Sequence, residues 1–281
     1  MLELGSERLR WGDRELELSG GLREWRETLW VPLETFCRSL GIGFFADPEE
    51  DHLYATPAAG EWSIPEGIRV PILMYHGVTD DVWGGSDLFV SPSRLEEQLR
   101  YLEENGFTTI WFSDLARLDQ IEKPVMLTFD DGYMDNYTEL YPLLRKYQAK
   151  ATIFVITDTI DLNPRNLTSD QIRELSASGL VEIQSHTVTH PYLTSLTPND
   201  QRWELAQSKL VLTRLTGKEP YVICYPSGQR GKDTLEIARE LYVLGVDMNG
   251  GVYTTGSDPH TIPRWYVARS DSMALFIDQV E

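Results

Sequence analysis

The chain has 281 residues, 41% of them hydrophobic and 25% charged, enough for one sizeable domain and a smaller companion. A formal net charge of -19 and the lack of any Lys/Arg cluster argue against nucleic acid or an anionic polymer as partner, and favour a neutral or cationic substrate. No run of about 18 apolar residues reads as a membrane span, and the first residues carry no signal-peptide core. The two cysteines, Cys37 and Cys224, fall in segments assigned to different domains and read as unpaired.

Residues 1–62 read as a small α+β module. Arg10 to Leu18 alternates weakly like a strand, and Gly20-Gly21 turns it. Pro32 followed by apolar Leu33, Phe36, Cys37 and Leu40 predicts a short helix stopped at Gly41. Ile42–Phe45 and His52–Ala55 predict two further strands. This order resembles the N-terminal stalk module of copper amine oxidases, which implies an adaptor or wall-facing role. It does not imply copper, because no His-rich ligand set is present. A plain appendage without separate function is the equal alternative. Thr56 to Pro65, with small residues and two prolines, reads as a linker.

From residue 63 to 281, strands and helices alternate. Strands are predicted at Arg69–Met74, Phe107–Trp111, Val125–Phe129, Ala151–Ile156, Val181–Gln184, Tyr221–Tyr225, Val243–Met248 and Ile262–Val267. Ser93-Arg-Leu-Glu96 reads as a capping box opening a helix that ends at Asn105-Gly106. Further helices are predicted at Tyr133–Tyr147 (with Pro142 a local break), Thr168–Gly179, Thr197–Gly217, Asp233–Tyr242 and Ser270–Val280. The alternation predicts an α/β fold, a distorted (β/α)7-type barrel built on a parallel sheet.

Polar residues gather at the C-terminal ends of the predicted strands, the rim where such barrels build active sites. His76 follows the first strand. Asp130 and Asp131 end the next apolar run, and two adjacent carboxylates need a cation beside them or a shared proton. A metal ion meets that need, held by one Asp while the other stays free as a base. Ser185-His-Thr-Val-Thr-His190 places two imidazoles four residues apart, and Tyr225-Pro-Ser-Gly228 ends another strand. Asp131, His186 and His190 form a two-His, one-carboxylate set that leaves positions open for water and substrate. A lone histidine would more simply be a hydrogen-bonded core residue. His52 and His260 look peripheral.

Thr128-Phe-Asp-Asp-Gly-Tyr133, Ser185–His190 and Tyr225–Gly228 resemble the motifs of polysaccharide deacetylases, the family 4 carbohydrate esterases with the NodB-homology fold. The resemblance runs from about residue 69 to the end. It implies a divalent metal, with zinc the first expectation and cobalt, nickel or iron as alternatives, bound by Asp131, His186 and His190. It implies Asp130 as general base and the Ser227 backbone N–H as part of an oxyanion site. The chain departs from the family pattern in lacking the arginine of the third motif and the late Leu-x-His that supplies the acid. Leu73-Met-Tyr-His-Gly77 stands before the Asp-Asp motif instead, resembling the permuted poly-N-acetylglucosamine deacetylases, and this gives the acid role to His76. Arg264 is expected to orient Asp130 in place of the missing arginine, although a strand drawn from Ile262 sets it at the wrong end.

Tyr133 and Tyr225, adjacent to these motifs, are expected to stack on sugar; Trp83, Phe89, Tyr192 and Trp265 read rather as packing. The glycine-hinged segment Asp81–Val90 reads as a packed loop, with a lid or membrane-touching loop as the alternative. The resemblance implies a metal-dependent N-deacetylase of a GlcNAc-containing polysaccharide, with poly-β-1,6-N-acetylglucosamine of a biofilm matrix as the leading substrate. Peptidoglycan, chitin oligomers and a non-catalytic carbohydrate-binding role are the alternatives. The expected setting is extracellular or at the cell surface, as a monomer with peripheral membrane or wall association.

Overall fold

A computed structural model describes residues 64–281 throughout and, before them, six strands. The chain divides into two compact units, Met1–Trp62 and Ser63–Glu281. In the first, three antiparallel pairs form: Arg8–Trp11 with Arg14–Glu17, Arg23–Trp25 with Thr28–Trp30, and Ile42–Asp47 with His52–Pro57. The single strand expected over Arg10–Leu18 is thus two short antiparallel strands, with Trp11 paired to Arg14. The helix expected after Pro32, and Cys37, lie outside the described residues.

The second unit is built on seven parallel strands: β1 (Ile72–Tyr75), β2 (Pro124–Phe129), β3 (Ala151–Val155), β4 (Val181–Ser185), β5 (Val222–Cys224), β6 (Leu244–Val246) and β7 (Trp265–Tyr266). They lie in the order β6-β5-β4-β3-β2-β1-β7. A parallel bridge from Val246 to Ile262, three residues before β7, brings the two ends of the curled sheet together. Near-continuous apolar runs such as Pro-Val-Met-Leu-Thr-Phe are what a sheet buried on both faces requires, and every residue of β2 after Pro124 is buried. Each fully buried Leu, Ile or Val adds roughly 1.5–3 kcal/mol of burial, and this core holds the strand ends rigid.

The helices are α1 (Pro92–Glu104), α2 (Tyr141–Tyr147), α3 (Ser169–Ala177), α4 (Pro198–Thr216), α5 (Lys232–Leu241) and α6 (Met273–Val280). Their ends follow local chemistry. Thr168 caps α3 in a reciprocal box with Gln171, and Thr197 caps α4 ahead of Pro198. Gly217 closes α4 at φ 68°, a left-handed conformation glycine adopts without cost. The cap of α1 is Ser91, whose hydroxyl accepts from the Arg94 N–H, and not Ser93; Pro92 at the first helical position sets the start two residues earlier. Pro142 does not break a continuous helix but begins one. A π-helical turn over Asn136–Leu140 leads into α2, with Pro142 in its first turn where its missing N–H is harmless. No described helix is long and apolar enough to cross a membrane.

Candidate active site

The end of β2 sets the centre. The Asp130 N–H donates to the Tyr75 carbonyl at 2.9 Å, continuing the β1–β2 ladder one residue past the strand. The chain then turns through Asp131 at φ 71° and Gly132 at φ 66°. Left-handed conformation at a non-glycine residue is uncommon and costly; here it swings Asp131 away from Asp130. Asn166 braces the turn, its side-chain amide donating to the Asp131 carbonyl at 3.0 Å.

The two carboxylates meet different partners. Asp130 is clamped by Arg264, Nη1 to Oδ1 at 2.7 Å and Nη2 to Oδ2 at 2.8 Å. Arg264 is completely buried and spends its other donors on Thr128 Oγ1, the Asp247 carbonyl and Cys224 Sγ. Burial alone would raise the Asp130 pKa, but the charge and hydrogen bonds of Arg264 override it and hold the carboxyl well below its usual range. The strand carrying Arg264 starts only at Trp265, so the residue precedes β7 and its side chain reaches Asp130 across the barrel interior.

Asp131 meets no such cation. Its Oδ1 lies 3.5 Å from His186 Nε2 and 3.8 Å from His190 Nε2, and the two rings stand 4.7 Å apart at 77°. His186 Nδ1 is 2.9 Å from the Cys224 carbonyl. A carbonyl can only accept, so Nδ1 carries a hydrogen, and Nε2, the nitrogen that faces Asp131, is the one that takes either a second proton or a metal ion. Burial opposes charge on His186, and the facing Cys224, Asp131 and Asp130 groups override it, placing its pKa well above that of a free imidazole. Burial lowers that of His190, with the charge of His186 adding to the effect. The ligand atoms of Asp131, His186 and His190 all lie within 4.8 Å of one another, as do those of Asp130, His186 and Cys224. The second group is already filled by Arg264, which contacts both Asp130 and Cys224. The first has two ring nitrogens and a carboxylate oxygen converging with no lysine or arginine beside them among the described residues, and that donor set fits a divalent ion that displaces the His186 proton.

The remaining expected residues fall in place unevenly. His76 is 9% exposed, and its Nδ1 has no partner among the described residues. Burial lowers its pKa, while Asp130 and Asp131 pull the other way. Asn136 and Asp135 hold its turn: the Asn136 amide donates to the His76 carbonyl at 3.0 Å, and Asp135 Oδ1 accepts from Val78 N–H at 2.9 Å. Burial raises the Asp135 pKa to about 6. Ser227 sits in a 3-10 turn at φ 53°, ψ 22°, a left-handed non-glycine position at this rim like Asp131, Thr187 and His190. Tyr133 is half-buried near Asp131, and burial together with the Asp131 charge pushes its phenol pKa up. Its ring packs 4.7 Å from Trp83 and 5.8 Å from Phe89. Arg165 lies 4.6 Å over Trp83, so the Asp81–Val90 loop is tied down at this tryptophan.

Tyr225 corrects an expectation. Its side chain is 0% exposed and packs with Leu193, Leu205, Ile223 and Tyr242, so it cannot stack on a sugar. It follows β5 with its ring turned into the layer between sheet and helices, where Gly245 leaves room for the phenol. Cys224, Asp135, Asn136 and Asn166 are site residues that sequence reasoning missed. Only the Asp-Asn pair following the Asp-Asp-Gly turn carried a signal, as polar residues inside a predicted helix start.

The family model for polysaccharide deacetylases matches residues 117–246, a span that holds Asp130, Asp131, His186, His190 and Ser227 but neither His76 nor Arg264. YxkH of Bacillus subtilis (strain 168), named as a polysaccharide deacetylase, is 34% identical over 219 residues, covering 76% of each chain. The poly-beta-1,6-N-acetyl-D-glucosamine N-deacetylase of Escherichia coli (strain K12) is 28% identical over 258 residues, 74% of this chain and 38% of that one. Among solved structures, the Streptococcus pyogenes deacetylase PplD in complex with acetate superposes with a TM-score of 0.71 at 32% identity, covering 76% of this chain and 99% of that one. With the Asp-Asp turn, the two-histidine loop and the parallel barrel that carries them, these likenesses make the chain a member of the polysaccharide deacetylase family.

Proposed function

We propose that the chain removes N-acetyl groups from a GlcNAc polymer, poly-β-1,6-N-acetylglucosamine first among them, using a divalent metal held by Asp131, His186 and His190. The observation that carries this reading is the contrast within one Asp-Asp pair: Asp130 is clamped by Arg264, and Asp131 faces two imidazoles and, among the described residues, no lysine or arginine. Zinc suits two ring nitrogens and one carboxylate oxygen. When bound it supplies a Lewis acid that activates water and polarises the acetamide carbonyl.

The chain's own groups supply the rest. Asp130, kept ionised by Arg264, accepts the proton from the attacking water. Arg264 holds both its oxygens, so the base cannot rotate away. The N–H of Ser227, presented by its left-handed turn, donates to the oxyanion. His76, across the β1–β2 rim, protonates the leaving amine, which departs poorly as an anion. The E. coli relative named for poly-β-1,6-GlcNAc supports the choice of polymer. That polymer sets the expected workplace outside the cell or at its surface.

Free-amine release from β-1,6- and β-1,4-linked GlcNAc oligomers, with chelator and with zinc restored, tests this reading. Chelator-sensitive release on the β-1,6 series is the expected result. Release confined to β-1,4 oligomers moves the substrate to chitin or peptidoglycan, and no release by the zinc-loaded protein overturns the reading.

A further inference from the structure

The loop from Ser185 to His190 carries both histidines, and its backbone is forced. Thr187 stands at φ 67° and His190 at φ 59°, left-handed positions that side chains rarely adopt. The Thr157 and Asp158 N–H groups hold its inner side, donating to the Thr187 and Val188 carbonyls at 3.2 and 2.9 Å, and a residue on α4 holds the other. Glu204, 5% exposed, points its carboxylate into the loop. Its Oε2 accepts from the Val188 N–H at 2.8 Å and the Thr189 N–H at 3.0 Å, and its Oε1 accepts from the Thr189 hydroxyl at 2.6 Å. Among the described residues no lysine or arginine pairs with it. This buried carboxylate is satisfied by the loop alone, as anions are in concavities of successive backbone N–H groups. A charged group at such depth is costly unless fully hydrogen-bonded, so the loop and the carboxylate hold each other in one arrangement.

We infer that Glu204 is a positioning residue for the metal centre, fixing the loop so that His186 and His190 converge on Asp131. The inference rests on the reading of Asp131, His186 and His190 as metal ligands and adds a residue that touches none of them. Glu204 sits 14 residues beyond His190 in the sequence and acts only through backbone and hydroxyl. Outer groups that orient metal ligands change affinity by about 10- to 100-fold when lost.

Zinc affinity of the metal-free protein, measured by competition with a chromogenic chelator, tests this without reading activity. Glu204→Leu fills similar space but accepts nothing, and is expected to weaken zinc binding about 10- to 100-fold. Glu204→Gln can turn its oxygen to the two N–H groups and its amide to the Thr189 hydroxyl, and is expected to stay within a few-fold of wild type. Thr189→Val removes one donor, leaves Glu204 in place, and should weaken binding by a smaller factor. Glu204→Leu and Thr189→Val binding zinc as wild type does would overturn the inference. If Glu204→Leu fails to fold, unchanged affinity in Thr189→Val overturns it alone. A His190→Ala control separates the two readings. Wild type holding zinc no better than His190→Ala removes the metal site and this inference with it. Loss in His190→Ala with full affinity in the Glu204 and Thr189 variants removes only the inference.

Discussion

The two ends of the barrel each bury a pair of carboxylates, and they treat them in opposite ways. At the N-terminal end, Asp114 accepts from Lys150 Nζ at 2.8 Å, from Arg117 and from the Trp111 N–H at 3.0 Å. Glu182, the second residue of β4, is bonded by the Tyr221 hydroxyl and, at 3.4 Å, by Thr152. Every charge there is matched by a cation of the chain or suppressed by a proton. Burial raises the Glu182 pKa to about 7, with Asp114 adding to the effect. At the C-terminal end Arg264 saturates Asp130, while Asp131 faces two imidazoles. A structural acid cluster closes its own accounts; the opposite rim leaves one carboxylate facing two imidazoles, the place the proposed metal would take.

The largest test of this contrast is Arg264→Ala. Removing one partner of a buried ion pair costs about 3–5 kcal/mol, since the other charge stays buried and alone. The misplaced base should also lower kcat on the order of 100-fold. Urea unfolding and steady-state rates measure the two losses. Stability falling with kcat kept within a few-fold would make Arg264 a strut and not an orienting group for the base.

At the opposite end the expected effect is smaller and shows in pH. The unfolded chain releases the Glu182 proton near 4.5, while the folded chain keeps it to about 7. Between those values the unfolded state binds fewer protons, so this residue makes stability fall as pH rises from about 4.5 to 7 and level off above. Glu182→Gln cannot ionise, and its stability should change less over that window than that of wild type. Denaturant midpoints for both proteins at the two ends of the window decide it. Parallel curves would mean that Glu182 is ionised throughout, and the two ends would then differ less than described above.

What was legible in the sequence was whatever acts within a few residues. Asp-Asp-Gly at the end of an apolar run and His-x-x-x-His after another are linear signals, and the strands placed both on one rim. Arg264 was legible only as a gap to be filled, because its partner lies 134 positions away and the sheet alone brings them together. Glu204 and Asn166 left almost no trace, since they bind backbone groups and any backbone looks alike in sequence. The parallel barrel followed from alternation, whereas the helix caps turned on one or two residues. Tyr225 was misjudged for a related reason: standing next to Ser227 in the chain does not say which side of the sheet a ring takes.

That residue offers the smallest and most discriminating test. Tyr225 carries a buried hydroxyl with no partner among the described residues, and burial pushes its pKa up. A buried hydroxyl left unbonded costs about 1–3 kcal/mol, so Tyr225→Phe should leave stability unchanged or slightly raised. Because the ring fills a core position 0% exposed, kcat and KM for the polymer should stay within about twofold of wild type. A KM that rises several-fold at constant stability would mean that the phenol reaches the sugar, and β5 would then belong to the substrate groove and not to the wall behind it.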